Sequence, residues 1–224
     1  MKTSKQKIEE ALLVIKSAYE VFKNSYKDGI CITELKDAFL QEIKAKLPNS
    51  EVEYDFLAGE DTKNIGGVTE NYVLKKYDPV LIDISVKNEG VWCDVCRTYF
   101  VGDITKKQLE VYELIKRSIK AGESVLKAGA KTCDLYNAVN GEYQKNGYEL
   151  VHHSGHQIET APVEKPLFLK SGQETLKNGF YTIESGLYKD FGMRLENDYF
   201  VDNAGATNLF ENLMPLVAKE YILK

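Results

Sequence analysis

Histidine is scarce in this chain of 224 residues: there are three, and none occurs before position 152. Any site that uses imidazole must draw on His152, His153 or His156. Long apolar runs are missing too, and no window approaches the 18 or so apolar residues of a spanning helix. The polar N-terminal stretch MKTSKQKIEE has no apolar core of a secretory signal, so the cytosol is the expected location. Lys and Arg form no block, and a net charge of -5 with a pI near 5.4 argues against a general nucleic-acid binder. Of four cysteines only Cys93 and Cys96 make a CxxC, and there is no second one to complete a zinc site. They lie in a strand-like run, where the two positions face opposite ways, so reduced thiols are the simpler reading.

What is present divides into helices followed by strands, twice. Residues 4–27 repeat apolar positions at helical spacing from Ile8 to Phe22, and Thr33 reads as the N-cap of a second helix ending near Leu47. Val52, Tyr54 and Phe56 alternate as a strand, and a polar, glycine-containing connection covers 57–77. Further helices fit 105–127 and about 133–146, short strand-like runs follow to about 202, and the last stretch, ENLMPLVAKEYILK, has no periodic assignment. KDGICITELKDAF at 27–39 resembles KAGAKTCDLYNAV at 127–139, so Lys27, Gly29, Leu35 and Ala38 recur 100 residues on. An internal duplication gives this pattern, and so does ordinary helix–glycine–helix punctuation.

The stretch VLIDISVKNEGVWCDVCRTYFVG reads as a hairpin. With its turn centred between Asn88 and Glu89, Asp83 and Asp94 pair directly across the strands. Like charges in that position destabilise a sheet unless a cation offsets them. Further acidic residues sit in strand-like runs, Glu184 in YTIESGLY and Glu196 in GMRLENDYF, where burial is costly unless they are paired or bind metal. Together with His156, which follows Gly155, these make four carboxylates and one imidazole. Two divalent cations would balance the charge, and an oxygen-rich set with one nitrogen suits Mn, Fe, Co or Zn. Such a pair can activate a bridging water for hydrolysis.

In this order and context the five residues resemble the ligands of the M24 metallopeptidases. DVCRTYFVGD is similar to that family's Asp-x-Thr-Arg-Thr strand, and YTIESGLY to its Phe-Thr-Ile-Glu-Pro-Gly-Leu-Tyr segment. VYELIKRSIKAG and GMRLEN are closer to the Xaa-Pro aminopeptidase and prolidase branch than to methionine aminopeptidase. The resemblance implies an α+β pita-bread fold, with two pseudo-twofold-related α-α-β halves around a curved antiparallel sheet. It implies a single catalytic domain over 1–224, without the additional N-terminal domain of many Xaa-Pro enzymes. It implies metal ligation by Asp83, Asp94, His156, Glu184 and Glu196, with two divalent ions, Mn favoured, and a metal-bridging hydroxide as nucleophile. Glu184 would accept the proton, His152, Glu159 and Val163 would contact substrate, and Arg194 would fix Glu184 or Glu196. The expected partner is a peptide, with Xaa-Pro peptides as the class the resemblance implies, with neither nucleic acid nor membrane, and family analogy allows a homodimer.

Two family histidines are absent. The position seven residues after His156 is Val163, and the position 17 before Asp83 is Gly66. In the family those side chains hold the substrate carbonyl and the tetrahedral intermediate, and loss of one positioned donor costs roughly 3 kcal/mol. The alternatives are therefore hydrolysis of a different C–N bond, or a non-catalytic module that binds a peptide.

Overall fold

The computed structural model describes residues 2–224. Its elements run α1 (Ser4–Ser25), α2 (Ile32–Lys46), β1 (Glu51–Ala58), β2 (Pro79–Asn88), β3 (Val91–Val101), α3 (Lys106–Glu123) and α4 (Thr132–Lys145). Then come β4 (His156–Gln157), β5 (Glu164–Leu167), β6 (Gly179–Tyr188), β7 (Gly192–Asp202), β8 (Gly205–Asn208) and β9 (Ile222–Leu223). One sheet holds all nine strands in the order β1-β2-β3-β7-β6-β4-β5, with β8 beside β7 and β9 beside β3.

The two long helices begin the same way. Thr3 and Thr105 each accept an N–H three residues on, from Gln6 and Gln108, and each glutamine side chain accepts the threonine N–H in return. This capping box satisfies donors that a bare helix end leaves free. Helix α2 starts differently from the expectation at Thr33. Cys31 holds the N-cap position without a side-chain bond, its carbonyl takes the Glu34 N–H at 3.1 Å, and the first helical N–H, of Ile32, is taken by Tyr72 O at 2.8 Å. Thr33 lies inside the helix and bonds Glu70 and the N–H of Asn71.

Alternation along the strands gives the sheet two unlike faces. Val80, Ile82, Ile84 and Val86 of β2 enter the large core beneath the helices. There Tyr19, Phe22, Phe39, Phe56 and Tyr99 interlock with ring centroids 5.1 to 5.9 Å apart. Each such pair contributes about 0.5–1.5 kcal/mol beyond its buried area. On the opposite face Leu57, Leu81 and Cys96 form a separate small cluster against Tyr188. Cys93 belongs to the helix-side core, so the CxxC pair is split across the sheet and all four cysteines are free.

The hairpin register corrects the direct Asp83–Asp94 pairing. Asn88 faces Val91, so Asp83 lies opposite Cys96, and Ser85 opposite Asp94. The turn is Glu89-Gly90, with φ of 48° and 88°. Positive φ at both central residues is the hairpin geometry whose twist matches the strands. The two aspartates still share one face, as diagonal neighbours rather than a direct pair.

The 100-residue echo is structural. Gly29 and Gly129 both take positive φ, 77° and 88°. Ile32 N–H bonds Tyr72 O while Thr132 N–H bonds Glu174 O, and Leu74 N–H bonds Ile30 O while Leu176 N–H bonds Ala130 O. The halves meet where β3 and β7 pair at Cys96 and Glu196. The C-terminal stretch, unassigned from its pattern, forms a short 3-10 turn and then β9, parallel to β3.

Candidate metal centre

The strand face away from the helices lines a cavity of about 480 Å³. Each element contributes at the position its alternation dictates: Asp83 and Ser85 from β2, Asp94 from β3, Glu184 from β6, and Arg194 and Glu196 from β7. His152, His153 and His156 come from the segment entering β4. That segment needs its glycine. Gly155 has φ of +146°, and a Cβ there would meet Thr182 O at 2.2 Å. Ser154 N–H bonds Phe168 O, Phe168 N–H bonds Gly155 O, and Glu184 N–H bonds Ser154 O, so the backbone is stitched against β6. A Gly155→Ala variant is expected to lose about 3 kcal/mol, from overpacking and a disfavoured φ together. Urea denaturation followed by circular dichroism measures this, and a loss below 1 kcal/mol, on the order of a surface change, would contradict the close approach.

Asp94, His156 and Glu196 each bring a ligand atom to one place, all within 4.8 Å of one another. His156 Nε2 is 3.8 Å from Asp94 Oδ2 and 3.6 Å from Glu196 Oε1. Two ligands on a tetrahedral ion with bonds of about 2.1 Å would be about 3.4 Å apart. His156 Nδ1 is 2.9 Å from Gln157 O. A carbonyl can only accept, so Nδ1 carries the proton and Nε2 presents its lone pair. Burial lowers the pKa of His156 and keeps the ring neutral, as ligation requires.

The other two acidic residues have protein partners. Asp83 Oδ2 is 2.7 Å from Arg194 Nε, and Arg194 Nη2 is 2.8 Å from Asp55. Glu184 Oε1 is 2.7 Å from His153 Nδ1, while its Oε2 is 3.6 Å from His152 Nδ1. Arg194 thus fixes Asp83 rather than Glu184 or Glu196. Val163 lines the cavity mouth, half exposed, whereas Glu159 lies outside the lining and contributes its carbonyl to Trp92 N–H. Gly66 abuts Asp55, whose Oδ1 would lie 3.0 Å from an added Cβ. His153 and Asp55 are the site residues that the sequence did not single out. Asp55 had a signal: strand alternation sets it on the opposite side from Tyr54 and Phe56.

The donor set fits divalent cations. Asp94 Oδ1 and Glu196 Oε1 are buried without a hydrogen-bond partner, as is His152 Nε2. Burial pushes the Asp94 pKa well up, and the carboxylates of Asp83, Asp198 and Glu184 push it further. Glu196 is raised by burial and then by Asp94 and Glu184. Burial also raises Glu184, but His152, His153 and Arg194 outweigh it and hold this carboxyl well below its usual range.

These directions fix a pH dependence. A carboxyl with a raised folded pKa stabilises fully below its unfolded value, about 4, and the contribution is lost as pH rises through the raised value. Asp94 and Glu196 therefore weaken the metal-free fold toward alkaline pH. Glu184 has the opposite sign, but its loss falls in strong acid. His156, held neutral, also acts oppositely below about pH 6.5. The metal-free Tm is expected to fall as pH rises through the raised Asp94 and Glu196 values, and a saturating divalent ion should recover it most above them. Thermal melts across that rise check this, and a flat profile would refute it.

Two α-α-β halves, helices outside and a curled antiparallel sheet inside with acidic residues and histidine on its inner face, define a pita-bread protein. Comparison with known proteins agrees. The metallopeptidase family M24 matches residues 6–203, and the chain belongs to that family. It is 30% identical over 208 residues to "Putative dipeptidase YkvY" of Bacillus subtilis, covering 90% of this chain and 57% of that one. It is 28% identical over 148 residues to a Xaa-Pro dipeptidase of Pyrococcus furiosus, covering 64% of this chain and 42% of that one. Among solved structures, the prolidase of Pyrococcus furiosus superposes with a TM-score of 0.87 at 23% identity, over 94% of this chain and 64% of that one. The chain thus spans about half the length of the curated relatives it matches. Among the described residues, no helix is long and apolar enough to cross a membrane.

Proposed function

We propose that this chain is a metal-dependent hydrolase that cleaves an amino-terminal peptide bond, with Xaa-Pro peptides as the substrate class. The observation that carries the reading is the convergence of Asp94, His156 and Glu196 in a cavity where Asp94 Oδ1 and Glu196 Oε1 are buried without partners. Asp83 and Glu184 complete the proposed ligand set for two divalent ions, of which manganese suits the oxygen-rich donors, as do cobalt, zinc and iron. Bound there, the ions would supply a water activated for attack and polarise the scissile carbonyl. Glu184, ionised at neutral pH, would accept a proton at its carboxylate. His152 lines the cavity with Nε2 free of protein partners and would orient the substrate. The relatives' printed names, dipeptidase and Xaa-Pro dipeptidase, support the peptide class.

A second reading is hydrolysis of a different C–N bond. The observation favouring it is that Val163 and Gly66 bring no imidazole to the cavity, which among the described residues holds only His152, His153 and His156. A non-catalytic peptide-binding module would have no need of the convergent ligand set.

Two measurements test these readings in sequence. Elemental analysis of the purified protein should find transition metal at about two ions per chain, the number expected of a dinuclear hydrolase, and none at all would sink both enzymatic readings. A panel of Xaa-Pro peptides assayed with Mn(II) or Co(II) then separates them. Metal-loaded protein that cleaves none of the panel rules out the peptidase.

A further inference from the structure

The sheet is open along one side of β1. This strand is the outermost in its half and pairs with β2 alone. Phe56 N–H bonds Gly67 O at 2.9 Å and Phe56 O takes the Thr69 N–H at 2.8 Å, both from the loop after β1. Backbone groups alternate sides along an antiparallel strand, so Val52 and Tyr54 also turn theirs away from β2. The loop does not reach that far. Among the described residues nothing bonds these two N–H and two C=O groups. Such a row is a template for another extended chain.

Both faces beside this edge are shaped. On the helix side a groove of about 450 Å³ runs between Val52 and Tyr54 of β1 and Leu40, Gln41 and Lys44 of α2, and Tyr54 is 36% exposed. On the other side Glu53 and Asp55 line the cavity of the metal centre, which Val52 and Tyr54 also border. The open edge is therefore continuous with the site. A strand added to it would lie two strand spacings from Asp83 on β2, roughly 10 Å, a span that about three extended residues cover.

A second copy of this chain is a poor occupant. Each two-fold register centred on residues 52 to 54 sets Glu53 opposite Glu51, opposite itself or opposite Asp55, and like charges so placed destabilise a sheet. Glu51 has Lys87 at 2.8 Å, whereas Glu53 is exposed with no ion pair. The edge suits a chain that brings a basic side chain to Glu53 and an apolar one to the α2 groove, which alternation along a strand provides. We propose that β1 is a docking edge for the peptide substrate. The chain beyond the residues held at the metal centre pairs with Val52 and Tyr54 as an added strand, with an apolar residue in the groove and its neighbour, lysine or arginine, against Glu53. The proposal deepens the peptidase reading and rests on it for placing the amino terminus in the cavity.

Equilibrium binding tests docking separately from turnover. Calorimetry on the protein loaded with Mn(II) compares Ala-Pro-Gly with Ala-Pro-Gly-Ser-Leu-Lys-Leu-Lys. The octapeptide should bind about tenfold tighter or better, the order expected from a few added backbone hydrogen bonds and one buried apolar side chain. The octapeptide with glutamate in place of lysine should lose most of that gain. So should the octapeptide N-methylated at its first leucine and the following lysine, which lacks strand donors but keeps its side chains. Val52→Pro should abolish the gain from the protein side, because proline has no N–H and is tolerated on an edge strand where that N–H faces outward. If this variant does not fold, the N-methylated peptide still decides, since it is read on the unaltered protein. Equal binding of tripeptide and octapeptide, binding of neither, or a gain that survives N-methylation overturns the proposal. A dimer in sedimentation that Val52→Pro dissociates also overturns it, by giving the edge to a second copy. Cleavage is followed in parallel: a gain that N-methylation abolishes, without hydrolysis of either peptide, keeps the docking edge and removes the peptidase reading.

Discussion

Replacing Asp94 by asparagine is expected to empty the protein of metal and, in the same variant, to make the metal-free protein more stable. Both effects come from one crowding of charge. Asp94 is buried and feels the carboxylates of Asp83, Asp198 and Glu184, while its Oδ1 has no partner. Without a cation this is uncompensated charge in a desolvated place, and a neutral amide of the same size relieves it. The gain expected for removing such functional strain is on the order of 0.5–2 kcal/mol, read as a raised metal-free Tm at neutral pH. The amide is a poor ligand, and Asp94 is one of three residues whose ligand atoms converge. Metal affinity should therefore fall by more than the 10–100-fold or so typical of losing an outer partner. Any hydrolytic activity should vanish with it. Metal retained at wild-type stoichiometry, or a metal-free variant less stable than the parent, would show that Asp94 does not carry the cation-demanding charge.

The fold was largely readable because its signals are local. The buried face of α1, from Ile8 to Phe22, follows helical spacing, and the echo at an offset of 100 residues marks two halves whose loops share hydrogen bonds. The carboxylates were readable for a related reason: acidic residues in apolar strand runs are expensive and stand out. What the pattern could not supply was register and partnership. The observed hairpin turn lies one residue beyond the expected centre, which moves the partner of Asp83 by two, because Asn88-Glu89-Gly90 offers two turn centres and only backbone φ decides between them. Thr33 has the side chain of a cap, but the helix already starts at Ile32, whose N–H is met by Tyr72 O from a loop about forty residues away in sequence. Arg194 was placed on the wrong carboxylate, since its reach across β7, β3 and β2 depends on sheet order. His153 carried no signal beyond adjacency to His152, yet it contacts Glu184.

Arg194→Ala should produce the largest loss of stability of any single change at this site. The side chain joins four elements. It pairs Asp83 on β2 and Asp55 on β1, holds Ile65 O in the loop after β1, and touches Tyr188 at the end of β6. It is buried, so removing it leaves Asp83, already pushed up by burial, without its one counter-charge. Breaking a buried pair from one side costs about 3–5 kcal/mol, which urea denaturation of the metal-free protein would register. Arg194→Lys should recover little, because an ammonium cannot span partners spaced for a planar fork. Two further measurements separate this account from a generic packing loss. A divalent ion held by Asp83, as proposed, would neutralise it in place of the guanidinium, so the cost of Arg194→Ala should shrink at saturating metal. Adding Asp83→Asn to Arg194→Ala removes the stranded charge, so the double variant should be more stable than the single by about 1 kcal/mol or more, a coupling typical of contacting groups. If the two substitutions add without coupling, and metal leaves the cost unchanged, then Arg194 supports the sheet by packing alone and the ion pair with Asp83 contributes nothing to holding the site.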